Sequence, residues 1–298
     1  MTARHPAHRG SIFLEEAEVL GQQAWPGGQH VLQLRAPECA GRALPGSFAH
    51  LACAADLPMR RPLSIQRADR TSGTIEILYK VVGHGLARLA AARAGDRLSC
   101  LGPIGRGFEP DPARPRALLI GGGVGMPPMV FLAGALAGRA AEGFRPLGLF
   151  GSEIPFPFRA RPSTMLVPGL PDGTIACHPL LEELGVPSRL ASLAGFAGCF
   201  SGYVTDLAAA WLDGLAPAAL AEVAIYACGP TPMLAACARL ARRFAVPCQV
   251  SLEEFMACAV GGCAGCAVEV TTPEGKAMKR VCVDGPVFDA GTVFPPAA

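Results

Sequence analysis

The rhythm of apolar and polar positions changes twice along the chain. In the first third it has a period of two. Residues 30–34 alternate, and the run TIEILYKVV at 74–82 is β-branched and aromatic, bounded by Ser72-Gly73 and Gly83. Gly and Pro punctuate this stretch at Pro26-Gly27-Gly28, Pro45-Gly46 and Gly102-Pro103. Short strands at that spacing predict an antiparallel barrel or sandwich over residues 10–109. A short helix is expected after Gly85, because Leu86, Leu89 and Ala90 share a face.

The proline-rich stretch near residues 110–115 reads as a linker. Beyond it, strand and helix alternate. Short apolar strands are expected at 117–120, 147–150 and Val223–Cys228, and helices at 128–139, 204–212 and Thr231–Phe244. That is the pattern of βαβ units on a doubly wound parallel sheet, assigned to 116–250. From Ser251 the rhythm fades: the last 48 residues hold six glycines and four cysteines. Residues 251–298 therefore read as a small module held by a cofactor more than by a core.

Composition narrows the classes. A chain of 298 residues suggests about two domains with room for a small module. The balance of 26 basic against 24 acidic residues gives a net charge of +2, without the basic excess of a nucleic-acid binder. Hydrophobic residues at 51% against 17% charged exclude general disorder. Residues 117–138 are uncharged and long enough to span a bilayer, but the glycines at 121–125 and Pro127-Pro128 would leave backbone unsatisfied in lipid. No membrane association is expected. The polar N-terminus carries no apolar signal-like segment. Twelve cysteines in such a chain point to reduced thiols, and so to the cytoplasm.

Two motifs carry chemistry. Cys258, Cys263, Cys266 and Cys282 are spaced C-x4-C-x2-C-x15-C, and the first three reproduce the plant-type [2Fe–2S] spacing. Gly261, Gly262 and Gly265 let the loop turn tightly and bring N–H groups to the sulfurs. Structural zinc and plain buried thiols are the alternatives; zinc more often uses C-x2-C pairs in both halves. The second motif is the turn Gly121-Gly122-Gly123-Val124-Gly125 between a strand and a helix, where backbone N–H groups can bind pyrophosphate. A structural turn is the alternative. A second glycine turn at Cys228-Gly229-Pro230, also between strand and helix, favours a nucleotide lying across both.

Arg61-Pro62-Leu63-Ser64, the turn from Gly121 to Pro127, and Cys228-Gly229-Pro230 together resemble the ferredoxin–NADP reductase superfamily. With the cysteine cluster and the ending VCVDGPVF at 281–288, the chain is similar to the electron-transfer subunits of type B dihydroorotate dehydrogenase over about residues 10–290. The resemblance implies an FAD-binding barrel, an NAD(H)-binding α/β domain and a [2Fe–2S] module. It implies that Arg61 neutralises the FAD pyrophosphate and that Pro62 and Leu63 pack at the flavin. Ser64 and Cys228 take the catalytic positions, the Ser64 hydroxyl near flavin N5. The Tyr79-Lys80-Val81 backbone touches the isoalloxazine, and Gly83, Gly85 and Leu86 hold phosphate. Gly121, Gly122, Gly123, Gly125, Gly229 and Pro230 form the nicotinamide-nucleotide site.

The chain departs from the family pattern in three places. Leu63 replaces an aromatic stacker, Leu86 replaces a threonine, and the 193–196 stretch Leu-Ala-Gly-Phe replaces an acidic segment. No arginine pair stands adjacent to the strand end around Phe150-Gly151-Ser152-Glu153 to clamp a 2′-phosphate, and Arg159 and Arg161 come several residues later, so NADH is expected over NADPH. The implied partner is an FMN-bearing dihydroorotate dehydrogenase catalytic subunit of pyrimidine biosynthesis, in a heterotetramer. The rival readings are a reductase subunit of a ferredoxin–NADP transhydrogenase or sulfhydrogenase complex, and a zinc-stabilised nucleotide-binding regulator.

Overall fold

The computed structural model describes residues 10–54 and 56–296. The N-terminal stretch read above for the absence of a signal segment lies, through residue 9, outside the described residues. Six strands, Phe13–Trp25, Gln29–Arg35, Phe48–Leu51, Arg61–Asp69, Thr74–Lys80 and Arg97–Ile104, close into an antiparallel barrel. Barrel and sandwich were both open from the sequence; closure decides for the barrel and leaves no free sheet edge. Leu32, Leu34, Ile65, Ile75 and Ile77 fill the interior. The first strand hid its period because Glu15, Glu16 and Glu18 interrupt it; Ala17 and Val19 still point inward and are fully buried. The short helix spans Gly83–Leu89, three residues earlier than expected, because Gly83 takes a left-handed φ of 72° that turns the chain directly out of the strand.

The second unit is a six-stranded sheet in the spatial order Ser188–Ala191, Leu147–Gly151, Arg116–Gly122, Val223–Cys228, Cys248–Ser251, Val287–Asp289. The first five strands are parallel and the last is antiparallel. In chain order the parallel strands run 3-2-1-4-5, so winding reverses between Arg116–Gly122 and Val223–Cys228. Helices cover both faces. Val204–Asp213 and Thr231–Phe244 pack on one, and Met126–Ala137 on the other. Met126–Ala137 also lies against the barrel strand Arg61–Asp69, which seats the two units together.

The C-terminal segment is not as patternless as its sequence reads. It holds a hairpin, Ala267–Thr272 with Gly275–Arg280. Its strand Val287–Asp289 completes the central sheet by pairing with Cys248–Ser251. Its apolar cluster (Met256, Ala259, Cys266, Val281, Cys282) is closed by Phe48 and Ile104 of the barrel. The backbone bond Arg106 N–H to Gly285 O (2.6 Å) ties it to the chain just past the barrel, and Leu252 N–H to Pro286 O (2.9 Å) closes the segment on itself.

Candidate functional site: two clefts and a cysteine loop

In open α/β sheets the binding crevice forms beyond the strand C-termini where winding reverses. Here Gly121 lies directly beside Cys228 at that point. The two glycine turns pack closely. A Cβ on Gly125 would collide with the Cys228 carbonyl group. One on Gly122 would come within 2.5 Å of the Met233 sulfur, and one on Gly229 within 2.6 Å of the Met233 methyl. Gly121 presses on Phe150 and the Met126 backbone in the same way. Backbone proximity thus requires Gly125, whereas Gly122 and Gly229 meet the flexible end of Met233; Gly122 and Gly123 remain open to a cleft of about 1030 Å³. That cleft is also lined by Pro230, by Ser152 and Glu153 past the second strand, and by Tyr203 at the start of Val204–Asp213. The side chain of Cys228, expected at a catalytic position, is fully buried and lines neither cleft; burial, with the nearby Glu253 charge, pushes its thiol well above the ordinary value.

A second cleft, about 830 Å³, opens on the barrel wall. Arg61, Pro62, Leu63, Ser64, Tyr79, Lys80 and Leu86 line it, which gathers most of the motif residues of the first 90 positions at one surface. Arg61 donates to the carbonyls of Met59 and Arg60, at 2.9 and 3.1 Å, which leaves part of its fork free. Its guanidinium lies against the short helix: a Cβ on Gly85 would sit 2.8 Å from Nη2. The Tyr79 side chain turns inward, stacked on His30 at 5.3 Å, so its backbone faces the cleft. Val81, Gly83 and Gly85 do not line it, and the Val81 N–H is taken by Gly28 O at 2.8 Å.

The four cysteines fall into two pairs. Cys263 N–H donates to Cys258 Sγ at 3.4 Å, and Cys266 and Cys282 sulfurs are 3.3 Å apart. Gly265 N–H donates to Cys263 Sγ at 3.4 Å. Burial works to raise the Cys258 thiol, but N–H groups of Val260, Cys263 and Gly262 hold it down to about 7. Burial and the Cys266 contact push Cys282 up to about 12. Among the described residues no three His, Cys, Asp or Glu side chains converge on one ion position. Two pairs flanked by donated N–H groups suit a two-iron cluster, which takes two thiolates per iron.

The clefts share part of their walls, which no sequence motif marked. Lys80, Val124 and Glu253 line both. Phe255, Met256, Ala257 and Gly265 of the cysteine segment line the barrel cleft. Nothing in the sequence marks Glu253 beyond its place just after a buried strand. Its side chain is exposed to the clefts, and the protein around them raises its pKa.

A family model described as the iron-sulfur cluster binding domain of dihydroorotate dehydrogenase B matches residues 253–294. The chain is 39% identical over 254 residues to the dihydroorotate dehydrogenase B (NAD(+)) electron transfer subunit of Geobacillus thermodenitrificans, covering 84% of this chain and 86% of that protein. It is 30% identical over 280 residues to the subunit of the same name from Desulforamulus reducens, covering 93% and 97%. Among solved structures it is similar to an NADH-dependent reduced ferredoxin-NADP oxidoreductase chain, with a TM-score of 0.72 and 25% identity over 94% of this chain and 90% of that one. A ferredoxin reductase of carbazole 1,9a-dioxygenase shares the fold, with a TM-score of 0.60. The match runs through both clefts and the cysteine loop: the chain belongs to the family of dihydroorotate dehydrogenase B (NAD(+)) electron transfer subunits, oxidoreductase subunits with a ferredoxin reductase-like fold and an iron–sulfur module.

Proposed function

We propose that the chain draws electrons from NADH and delivers them through FAD and a [2Fe–2S] cluster to an FMN-bearing dihydroorotate dehydrogenase catalytic subunit of pyrimidine biosynthesis. The observation that carries this reading is the wall the two clefts share at Lys80, Val124 and Glu253, with Gly265 of the cysteine loop in the wall of the second. Bound FAD supplies the exchange between a two-electron hydride and the single electrons that an iron–sulfur cluster carries.

The protein contributes placement. Arg61, braced on the Gly83–Leu89 helix, presents guanidinium donors to the FAD pyrophosphate, with the Gly83, Gly85 and Leu86 backbone alongside. Ser64 offers its hydroxyl at the flavin edge, Leu63 and Pro62 pack on the ring, and the Tyr79-Lys80-Val81 strand backs it. Gly121, Gly122, Gly123 and Gly125 let the pyrophosphate of NAD(H) approach the start of Met126–Ala137. Gly229 and Pro230 bound the nicotinamide end, and Cys228 holds that turn through its backbone contact with Gly125. Glu153 accepts from a ribose hydroxyl, a polarity that suits NADH over NADPH. Cys258, Cys263, Cys266 and Cys282 would hold the cluster, and the pairing of Cys258 with Cys263 and of Cys266 with Cys282 would suit two irons.

The domain division follows the same roles: FAD on 10–109, nicotinamide nucleotide on 116–250, the cluster on 251–298. A heterotetramer of two such chains with two catalytic subunits is the assembly we infer, in the reducing cytoplasm that twelve thiols suit. Anaerobic titration with NADH tests the relay. Flavin and cluster bands should bleach together; a cluster that stays oxidised while flavin bleaches overturns it. The similarity to the NADH-dependent reduced ferredoxin-NADP oxidoreductase supports one second reading, a subunit of a transhydrogenase-type complex. Co-purification decides: an FMN-bearing barrel partner supports the first reading, a different oxidoreductase partner the second.

A further inference from the structure

Gln22 lies in the first barrel strand, in the wall of neither cleft. Its amide nitrogen donates to the carbonyls of Ala90 (3.1 Å), Leu89 (3.3 Å) and Ala92 (3.5 Å). They lie at and just past the end of the Gly83–Leu89 helix, where intrahelical donors run out; the Leu89 carbonyl also accepts from Ala92 N–H at 3.0 Å. Its amide oxygen accepts from the Tyr79 hydroxyl at 2.5 Å. The partners fix the amide's orientation, since carbonyls only accept. Tyr79 cannot swing away: its ring is buried and stacked on His30 within 13° of parallel.

We propose that Gln22 is a positioning residue for the flavin dinucleotide. It sets the spacing between the Tyr79-Lys80 strand, which backs the ring system, and the Gly83–Leu89 helix, which with Arg61 takes the pyrophosphate. A two-turn helix is marginal by itself, so its position depends on such ties. The helix is held on its solvent side by Arg88 to Asp56 at 3.0 and 3.1 Å, and Gln22 supplies the tie to the strand wall. This inference rests on the flavin reading above.

The test is titration of the flavin-free full-length chain with FAD, followed by quenching of flavin fluorescence, beside the melting temperature of the flavin-free chain. Gln22→Met, similar in volume but without donors or acceptor, should weaken FAD about tenfold, the loss of roughly one net hydrogen bond's worth of placement. Tyr79→Phe should weaken it about threefold. The double variant should bind no more weakly than Gln22→Met, because the Tyr79 hydroxyl acts through Gln22. Unchanged FAD affinity with a lowered melting temperature would overturn the proposal, as would additive losses. Should Gln22→Met fail to fold, Gln22→Glu keeps the acceptor for Tyr79 but sets a charge against the helix carbonyls. Its FAD affinity relative to the wild type should recover between pH 7 and pH 5 as the carboxyl protonates, and a flat ratio overturns the proposal. A wild-type chain that takes up no FAD brings down the flavin reading and this inference with it, a result distinct from FAD binding that ignores Gln22.

Discussion

The barrel and the cysteine module were built by different forces. The barrel closes on nineteen buried core residues of its own segment. Among the described residues the module's own cluster has five, and needs Phe48 and Ile104 from the barrel to seal it. Its one strand in a larger sheet, Val287–Asp289, borrows its ladder from Cys248–Ser251. A segment this poor in apolar burial gains its order from a bound cluster and from its neighbours, whereas the barrel gains it from itself.

Cys266→Ser should show the largest contrast. Cluster absorbance should vanish entirely, and hydrogen exchange should quicken across residues 253–294. FAD content and NADH-to-dye turnover should stay near wild type. Equal loss of all three would mean that the module supports the flavin cleft and that the two regions fold as one.

Acid should act on the packed regions and the seam between them. Burial holds His178 down to about 3, wedged by Phe158 and Phe150. Burial first, then the Arg60 and Arg61 charges, hold His50 at about 4, where it lies beside Met256 of the module. Both are neutral when folded, while in the unfolded chain they bind protons below about pH 6.5. Their stabilising contribution is therefore full above pH 6.5 and lost as pH falls toward their folded values. By pH 5 the loss is about 2 kcal/mol for each histidine. Urea denaturation at pH 7.5 and pH 5 measures it, and His178→Phe should remove about half the difference.

Glycines sharpen the comparison further. Gly125→Val drives a side chain into the Cys228 backbone and should cost about 3 kcal/mol, read by the denaturation midpoint. Arg61→Ala should leave the fold in place and weaken FAD by about 2 kcal/mol, roughly thirtyfold, by titration. Gly265→Ala is the smallest: its Cβ meets only Cys263 Sγ at an ordinary 3.6 Å, so the unloaded chain should lose less than about 1 kcal/mol.

Legibility followed the same divide. Strands with regular alternation, such as Thr74–Lys80, and the buried parallel strand Val223–Cys228 could be read directly. Phe13–Trp25 could not, because its outward glutamates break the pattern that only pairing on both edges restores. Phe48–Leu51 and Val287–Asp289 are too short to show a period. The Met126–Ala137 helix starts two residues before the expected 128, since the prolines at 127 and 128 suit a helix's first turn rather than its flank.

The sequence alone determined the chemistry: four cysteines at a spacing that turns around a small cluster, an arginine–serine pair, and glycines where backbone must approach phosphate. Those are local properties, fixed by side-chain type and by what φ each residue tolerates. Tertiary structure alone decided how they communicate. That Lys80, Val124 and Glu253 stand in both clefts, that Gly265 reaches the barrel, and that Gln22 spans 57 residues to Tyr79 and 67 to Leu89 follow from packing between distant segments. No periodicity records such contacts, because they depend on where closed sheets and docked helices bring the chain back upon itself.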